Sequence, residues 1–283
     1  MRRSTTSGVT EARALDRRRL GAVLGAELIC AVLLVAGPQT APAGPAVAAP
    51  PSSTAPSDAS RVVAMPDGRT AQLIDMGAPG GAALLDRIAT ELPGATDAVT
   101  AFWGAQWPTE VQVVVAGSQN QFATLAGGGV DVAATTTADR IMFAPAAAAM
   151  NDADLRMVLR HELFHFAARA DTAADAPVWL TEGVADFVGR PVSAAMPTPP
   201  SAQLPTDAEL ATPGPGRSAA YDRAWSLATY VAETYGTDRL RALYIAACGY
   251  GHPDFPTAVK QALGVELPAV LTGWQQWQGS STR

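Results

Sequence analysis

Two short β-like pieces, 61–65 with its apolar run Val62 to Met65 and 69–75, flank the turn triplet Pro66-Asp67-Gly68, and together they predict a β-hairpin. Leu84, Leu85, Ile88 and Leu92 then recur at helical spacing over residues 82–92. Pro93-Gly94 predicts a stop there, with a second helix over 95–103. The run Val-Gln-Val-Val-Val at 111–115 reads as a strand. Past the glycines at 127–129 and Thr135-Thr136-Thr137, Ile141 and Phe143 alternate with Met142, so residues 140–144 are expected to form an edge strand.

The second half reads as helical. Asn151 is a good N-cap, Asp152 and Asp154 suit the positive end of a helix dipole, and the helix should run to about Ala168 on a core face of Leu155, Val158, Leu159 and Phe166. A further helix begins after Pro177 and carries residues 178–188. Residues 189–216 are proline-rich and without period, and read as a loop. Helices resume over about 219–235, 238–247 and 257–263, and from about 268 to the end, with no internal repeat.

Composition narrows the class. The chain has 283 residues, 20 basic and 26 acidic side chains, a net charge of −6 and two cysteines, which excludes both a basic nucleic-acid binder and a disulfide scaffold. Lys260 is the only lysine, so the richness in arginine and alanine reads as compositional background.

Residues 1–48 have the layout of an export signal. Arg2, Arg3, Arg13 and Arg17 to Arg19 precede an apolar stretch, 20–36, broken only by Glu27, and Ala46-Val47-Ala48 offers a cleavage site before Ala49. The alternative is an uncleaved membrane tether through residues 20–36. Residues 49–60 form a Pro/Ala/Ser-rich linker, and 61–283 one folded domain. Without residues 1–48 the chain keeps 14 basic and 23 acidic groups, a charge near −9 that suits basic or neutral partners better than acidic ones. Secretion or residence in the cell envelope follows as the expected localisation. Cys30 lies in the apolar stretch, which leaves Cys248 as a lone, buried thiol.

The chemistry concentrates in His161-Glu162-Leu163-Phe164-His165. With three histidines in the chain, this H-E-x-x-H pattern arises by chance in about one such sequence in a thousand. Spacing of i and i+4 puts both imidazoles on one helical face, where they can converge on one tetrahedral zinc with Glu162 beside the open position. Leu163 and Phe164 say that this helix is buried, and buried histidines need partners. Downstream, Glu182 and Asp186 in Trp179-Leu180-Thr181-Glu182-Gly183-Val184-Ala185-Asp186 are again i and i+4. One carboxylate can bind metal while the other hydrogen-bonds a ligand histidine from behind.

Through these two motifs the chain resembles the gluzincin metallopeptidases, thermolysin-like zinc enzymes, and most closely the small peptidase-MA-like domains of bacteria. The resemblance implies an α+β, zincin-like fold, with an N-terminal mixed β-sheet, an active-site helix and a C-terminal helical lobe. It implies one zinc per chain held by His161, His165 and Glu182, with Glu162 as general base and Asp186 behind an imidazole. It also implies a peptide or protein substrate laid along the edge strand at Arg140, Ile141, Met142, Phe143 and Ala144. More weakly it reaches Tyr221-Asp222-Arg223-Ala224-Trp225, where Tyr221 either stabilises the oxyanion or packs at a helix start. No Gly-x-Met-Glu-Asn motif is present, so endopeptidase action is expected over aminopeptidase action.

Two rivals stand beside this reading. Asp171, six residues after His165, occupies a metzincin-like ligand position, but Ala168 stands where that pattern needs a helix-breaking glycine. His252, in the loop Gly249-Tyr250-Gly251-His252-Pro253, is expected at the surface, with an oxyanion role as its alternative. At the level of function, the alternatives are a non-catalytic cell-envelope binding module on the same fold and a metal-dependent hydrolase of a non-peptide bond. Oligomeric state is open.

Overall fold

A computed structural model describes residues 59–191 and 202–281. The export segment, the possible tether at 20–36 and all but the end of the linker lie outside them. Among the described residues no helix is long and apolar enough to cross a membrane.

The expected hairpin forms from β1 (Ala59–Ala64) and β2 (Thr70–Asp75), antiparallel, with Ala64 opposite Thr70 across the turn. Helix α1 (Gly81–Trp103) then crosses to β3 (Glu110–Val115), which pairs parallel with β2. Next come α2 (Gln119–Ala126), β4 (Ala134–Thr136) and β5 (Arg140–Phe143). The sheet order is β1-β2-β3-β5-β4, with β5 parallel to β3 and β4 antiparallel to β5. One sheet face, carrying Ala71, Leu73, Val111, Val113, Val115, Ile141 and Phe143, packs into the main core with α1. The other carries Val114 and Met142, which meet Phe122 and Ala126 of α2.

The helical part follows as α3 (Asp152–Ala168), α4 (Val178–Gly189), α5 (Asp207–Ala211), α6 (Pro215–Tyr235), α7 (Thr237–Cys248), α8 (Phe255–Leu263) and α9 (Leu267–Ser281). The α+β architecture expected from the sequence is present: a mixed sheet, a buried central helix and a helical C-terminal part. Helix α3 starts where its cap says it should, with the Asn151 side chain accepting from the Asp154 amide. From His161 to Ala168 every residue of α3 is buried, because the sheet lies on one side and α1 and α4 on the others.

Four local expectations give way to tertiary structure. The two helices expected on either side of Pro93 are one helix, α1, with Pro93 inside it. An interior proline costs about 3 kcal/mol. The buried stripe Leu84, Ile88, Leu92, Ala95, Val99 and Phe102 runs through it unbroken, and each large side chain contributes about 1.5–3 kcal/mol on burial. Residues 140–144 are not an edge: β5 is paired on both sides, and β4 is the outer strand at that end of the sheet. The stretch read as a loop contains α5, nucleated by a capping box between Thr206 and Glu209, and α6 starts at Pro215 rather than near 219. Helix α2, capped by Ser118, buries only Phe122 and Ala126, too few positions to show a period.

Helix α4 lies between α3 and α6, and two glycines set how close it comes. A Cβ on Gly183 would stand 2.6 Å from the Ala224 carbonyl oxygen of α6, and one on Gly189 would stand 2.9 Å from the Met157 carbonyl oxygen of α3. Gly183→Ala should therefore force α4 off α6 and destabilise the protein by about 1–3 kcal/mol. Denaturant unfolding would read this as a lowered midpoint, and an unchanged midpoint would show that the close approach is not needed.

Candidate metal centre

The sandwiched position of α4 brings two i, i+4 pairs face to face. His161 and His165 project from α3 with ring centroids 4.7 Å apart and their Nε2 atoms 3.0 Å apart. Glu182 reaches in from α4, with Oε2 3.2 Å from His161 Nε2 and Oε1 3.5 Å from His165 Nε2. The edges of a tetrahedron with metal–nitrogen bonds of about 2.0–2.1 Å measure about 3.3 Å, so these separations bracket what zinc requires. Among the described residues, His161, His165 and Glu182 are the set of donors that could hold a metal, and all three are buried.

The unmet hydrogen bonds point the same way. Neither oxygen of Glu182 has a hydrogen-bond partner although the residue is 1% exposed. A bare carboxylate in that position is costly unless a cation compensates it. Two imidazole nitrogens and a carboxylate are also the donor types zinc prefers. Burial alone would push the His161 imidazole down, but Asp186 and Glu182 overcome it and hold it at about 10. Burial likewise opposes ionisation of Glu182, yet His165 and His161 bring its carboxyl down to about 2. The cluster thus demands positive charge at its centre.

Around the donors stand three supporting groups. His161 Nδ1 donates to Asp186 Oδ1 at 2.9 Å, which leaves Nε2 to face His165 and Glu182. Burial would raise the Asp186 carboxyl, but the Arg190 guanidinium and His161 bring it below the usual carboxylate range. Glu162 is fully buried, and its Oε2 accepts from the Thr136 hydroxyl at 2.6 Å, while Oε1 has no hydrogen-bond partner. Thr136 belongs to the edge strand β4 and also lies 2.9 Å from the Glu162 carbonyl oxygen.

The sequence-expected residues separate clearly. His161, Glu162, His165, Glu182 and Asp186 come together. Tyr221 is buried on α6, on the face where Ala224, three residues on, meets Gly183 of α4. Arg140, Ile141, Met142, Phe143 and Ala144 do not line an edge: Ile141, Met142, Phe143 and Ala144 are buried, and the ladder beside Ile141, Met142 and Phe143 is already taken by β4. Asp171 is exposed, in a 3₁₀ turn after α3, and stands outside the donor cluster. His252, expected at the surface, is half-buried, with Nδ1 2.9 Å from the Pro253 carbonyl oxygen and Nε2 3.6 Å from Asp175. Cys248 is buried as expected, and burial pushes its thiol up. Sequence reasoning missed Thr136 and Arg190; the i, i+4 spacing of Asp186 and Arg190 was the available signal for the second.

No family model matches the chain, and no curated protein matches it. Among solved structures, Legionella pneumophila aminopeptidase A in complex with aspartic acid is 12% identical, with a TM-score of 0.49, over 77% of this chain and 28% of its own. The M1 zinc metallopeptidase from Deinococcus radiodurans is 17% identical, with a TM-score of 0.47, over 77% of this chain and 51% of its own. A two-domain M1 zinc metallopeptidase bound to L-arginine is 16% identical, with a TM-score of 0.48, over 78% of this chain and 51% of its own. The chain thus spans between 28% and 51% of the length of these structures. At that level of likeness, the chemistry of this chain rests on its own side chains.

If the three donors hold zinc, elemental analysis of the purified protein should find about one zinc per chain, lost or sharply weakened in Glu182→Ala. Asp171→Ala should retain the metal in full. Loss of metal in the Asp171 variant but not in the Glu182 variant would overturn the donor set.

Proposed function

We propose that this chain is an exported zinc-dependent endopeptidase of the gluzincin type, with His161, His165 and Glu182 as metal ligands and Glu162 as general base. The observation that carries this reading is the convergence of two Nε2 atoms and a buried carboxylate within 3.5 Å of both, beside a second carboxylate with one oxygen that accepts no hydrogen bond. A site built only to hold a metal has no use for Glu162, which is fully buried and is not one of the donors. The export signal of residues 1–48 and the missing exopeptidase motif support the remaining terms.

Zinc in such a donor set supplies Lewis acidity to a water and to the scissile carbonyl. Glu162 Oε1 accepts the proton of the attacking water and returns it to the leaving amine, the two halves of one acid–base cycle. Thr136 holds the other oxygen of Glu162 and so fixes which one is free to work. Asp186 keeps the proton of His161 on Nδ1 and its lone pair on Nε2. Tyr221 is the candidate to stabilise the oxyanion.

The substrate strand is proposed to pair with β4 rather than β5, because β4 is the outer strand at the end of the sheet that meets Glu162. An extended peptide added there gains backbone hydrogen bonds and is brought to the strand whose Thr136 touches Glu162. The acidic charge of the chain favours basic or neutral peptides.

Glu162→Gln should keep zinc and lose about 10²–10⁴-fold in kcat on a cleaved peptide. Turnover at the parent rate would remove the general-base role. Thr136→Val, with zinc content unchanged, should lower kcat by about 10-fold with little change in KM. A change confined to KM would instead assign Thr136 to substrate contact.

A further inference from the structure

Asp186 divides its two oxygens between two partners. Oδ1 accepts from His161 Nδ1 at 2.9 Å, and Oδ2 accepts from Arg190 Nε at 3.1 Å and Nη2 at 2.7 Å. Arg190 is itself held from α6: Nη1 lies 3.3 Å from Asp222 Oδ1, and the guanidinium stacks 4.3 Å from the centroid of Trp225. A continuous line therefore runs from α6 through Asp222, Arg190 and Asp186 to His161. We propose that Arg190 is a positioning residue for the metal site, locking the Asp186 carboxylate in the orientation that keeps His161 Nε2 aimed at the donor cluster. The inference rests on the metal-site reading above and deepens it.

Charge alone does not explain the residue. A guanidinium two hydrogen bonds from a cation site repels the cation, since like charges in a protein interior interact unfavourably over such distances. If Arg190 acted through its charge, its presence would weaken metal binding. What the planar fork supplies is direction, because two N–H groups on one carboxylate oxygen remove the freedom of the Asp186 carboxylate to turn about its own side-chain bonds. Stacking on Trp225 and the contact with Asp222 in turn fix the plane of the fork. A lysine would keep the charge and lose the fork. Arg190 also closes α4: its backbone N–H bonds the Asp186 carbonyl oxygen at 2.9 Å, so backbone and side chain address the same residue.

The test is the zinc affinity of the purified full chain, measured with the metal alone against a chromophoric chelator. Arg190→Lys should weaken zinc by about 3- to 10-fold, below the 10- to 100-fold typical of direct partners of ligand histidines. In an Asp186→Ala background the same substitution should have almost no effect, because alanine leaves the fork no acceptor to hold. A purely structural role would lower affinity equally in both backgrounds. Asp222→Asn, at a more exposed site, should weaken zinc about 2-fold in the same direction. It carries the test if Arg190→Lys does not fold. Parent-like affinity in Arg190→Lys, or an equal loss with and without Asp186, overturns the proposal. A parent chain that binds no zinc sinks the metal site itself, and the two failures are told apart by that first measurement.

Discussion

Glu182 sits in the protein interior with no hydrogen bond to either carboxylate oxygen, within 3.5 Å of two imidazole nitrogens. Most of the structure is arranged around that arrangement of charge. A carboxylate so placed is tolerated only where positive charge meets it, and two histidines on the next helix converge on the same point. The helix that carries them is buried on every side over its last two turns, so neither histidine can turn to water. The fold thus holds, in its interior, three donors of the types a metal cation takes.

Such a point exists only because three helices come unusually close. Gly183 admits the backbone of α6 and Gly189 that of α3, and either would be blocked by a Cβ. Helix α4 is capped from outside as well, since Asp207 of α5 accepts from the Trp179 amide at 2.9 Å. A second clasp runs between the strand side and the helical side, from Arg217 at the start of α6 to Asp131 before β4, at 2.6 Å. The sheet contributes at its outer strand, where Thr136 meets Glu162. The donor cluster is therefore made by α3 and α4, and its surroundings by both halves of the molecule.

The motifs were legible because they are local. Helical spacing places His161 with His165 and Glu182 with Asp186 without any knowledge of the fold. Asn151 and Pro177 mark their helix starts, and Pro66-Asp67-Gly68 marks the hairpin, through bonds made within a few residues. Where local chemistry and packing disagreed, packing prevailed. Pro93 is the clearest case, because the buried stripe of α1 outweighs one missing hydrogen bond. Asp171 shows the converse: its spacing suits a ligand, but the chain continues in a turn that leaves it in solvent.

The sequence by itself determined the donor types, their pairing on two helices and the second carboxylate, Glu162, beside them, since each depends on residues no more than four apart. Only the tertiary structure decided which strand forms the edge, that Thr136 holds Glu162, and that Asp222 of α6 stands behind Arg190. The alternation over residues 140–144 is the same for an inner strand as for an outer one, because side-chain periodicity reports which faces are buried and says nothing of which neighbour fills each ladder. Thr136 and Glu162 are 26 residues apart, and Arg190 and Asp222 are 32. Contacts at such separations arise from the packing of whole elements, which no local pattern encodes.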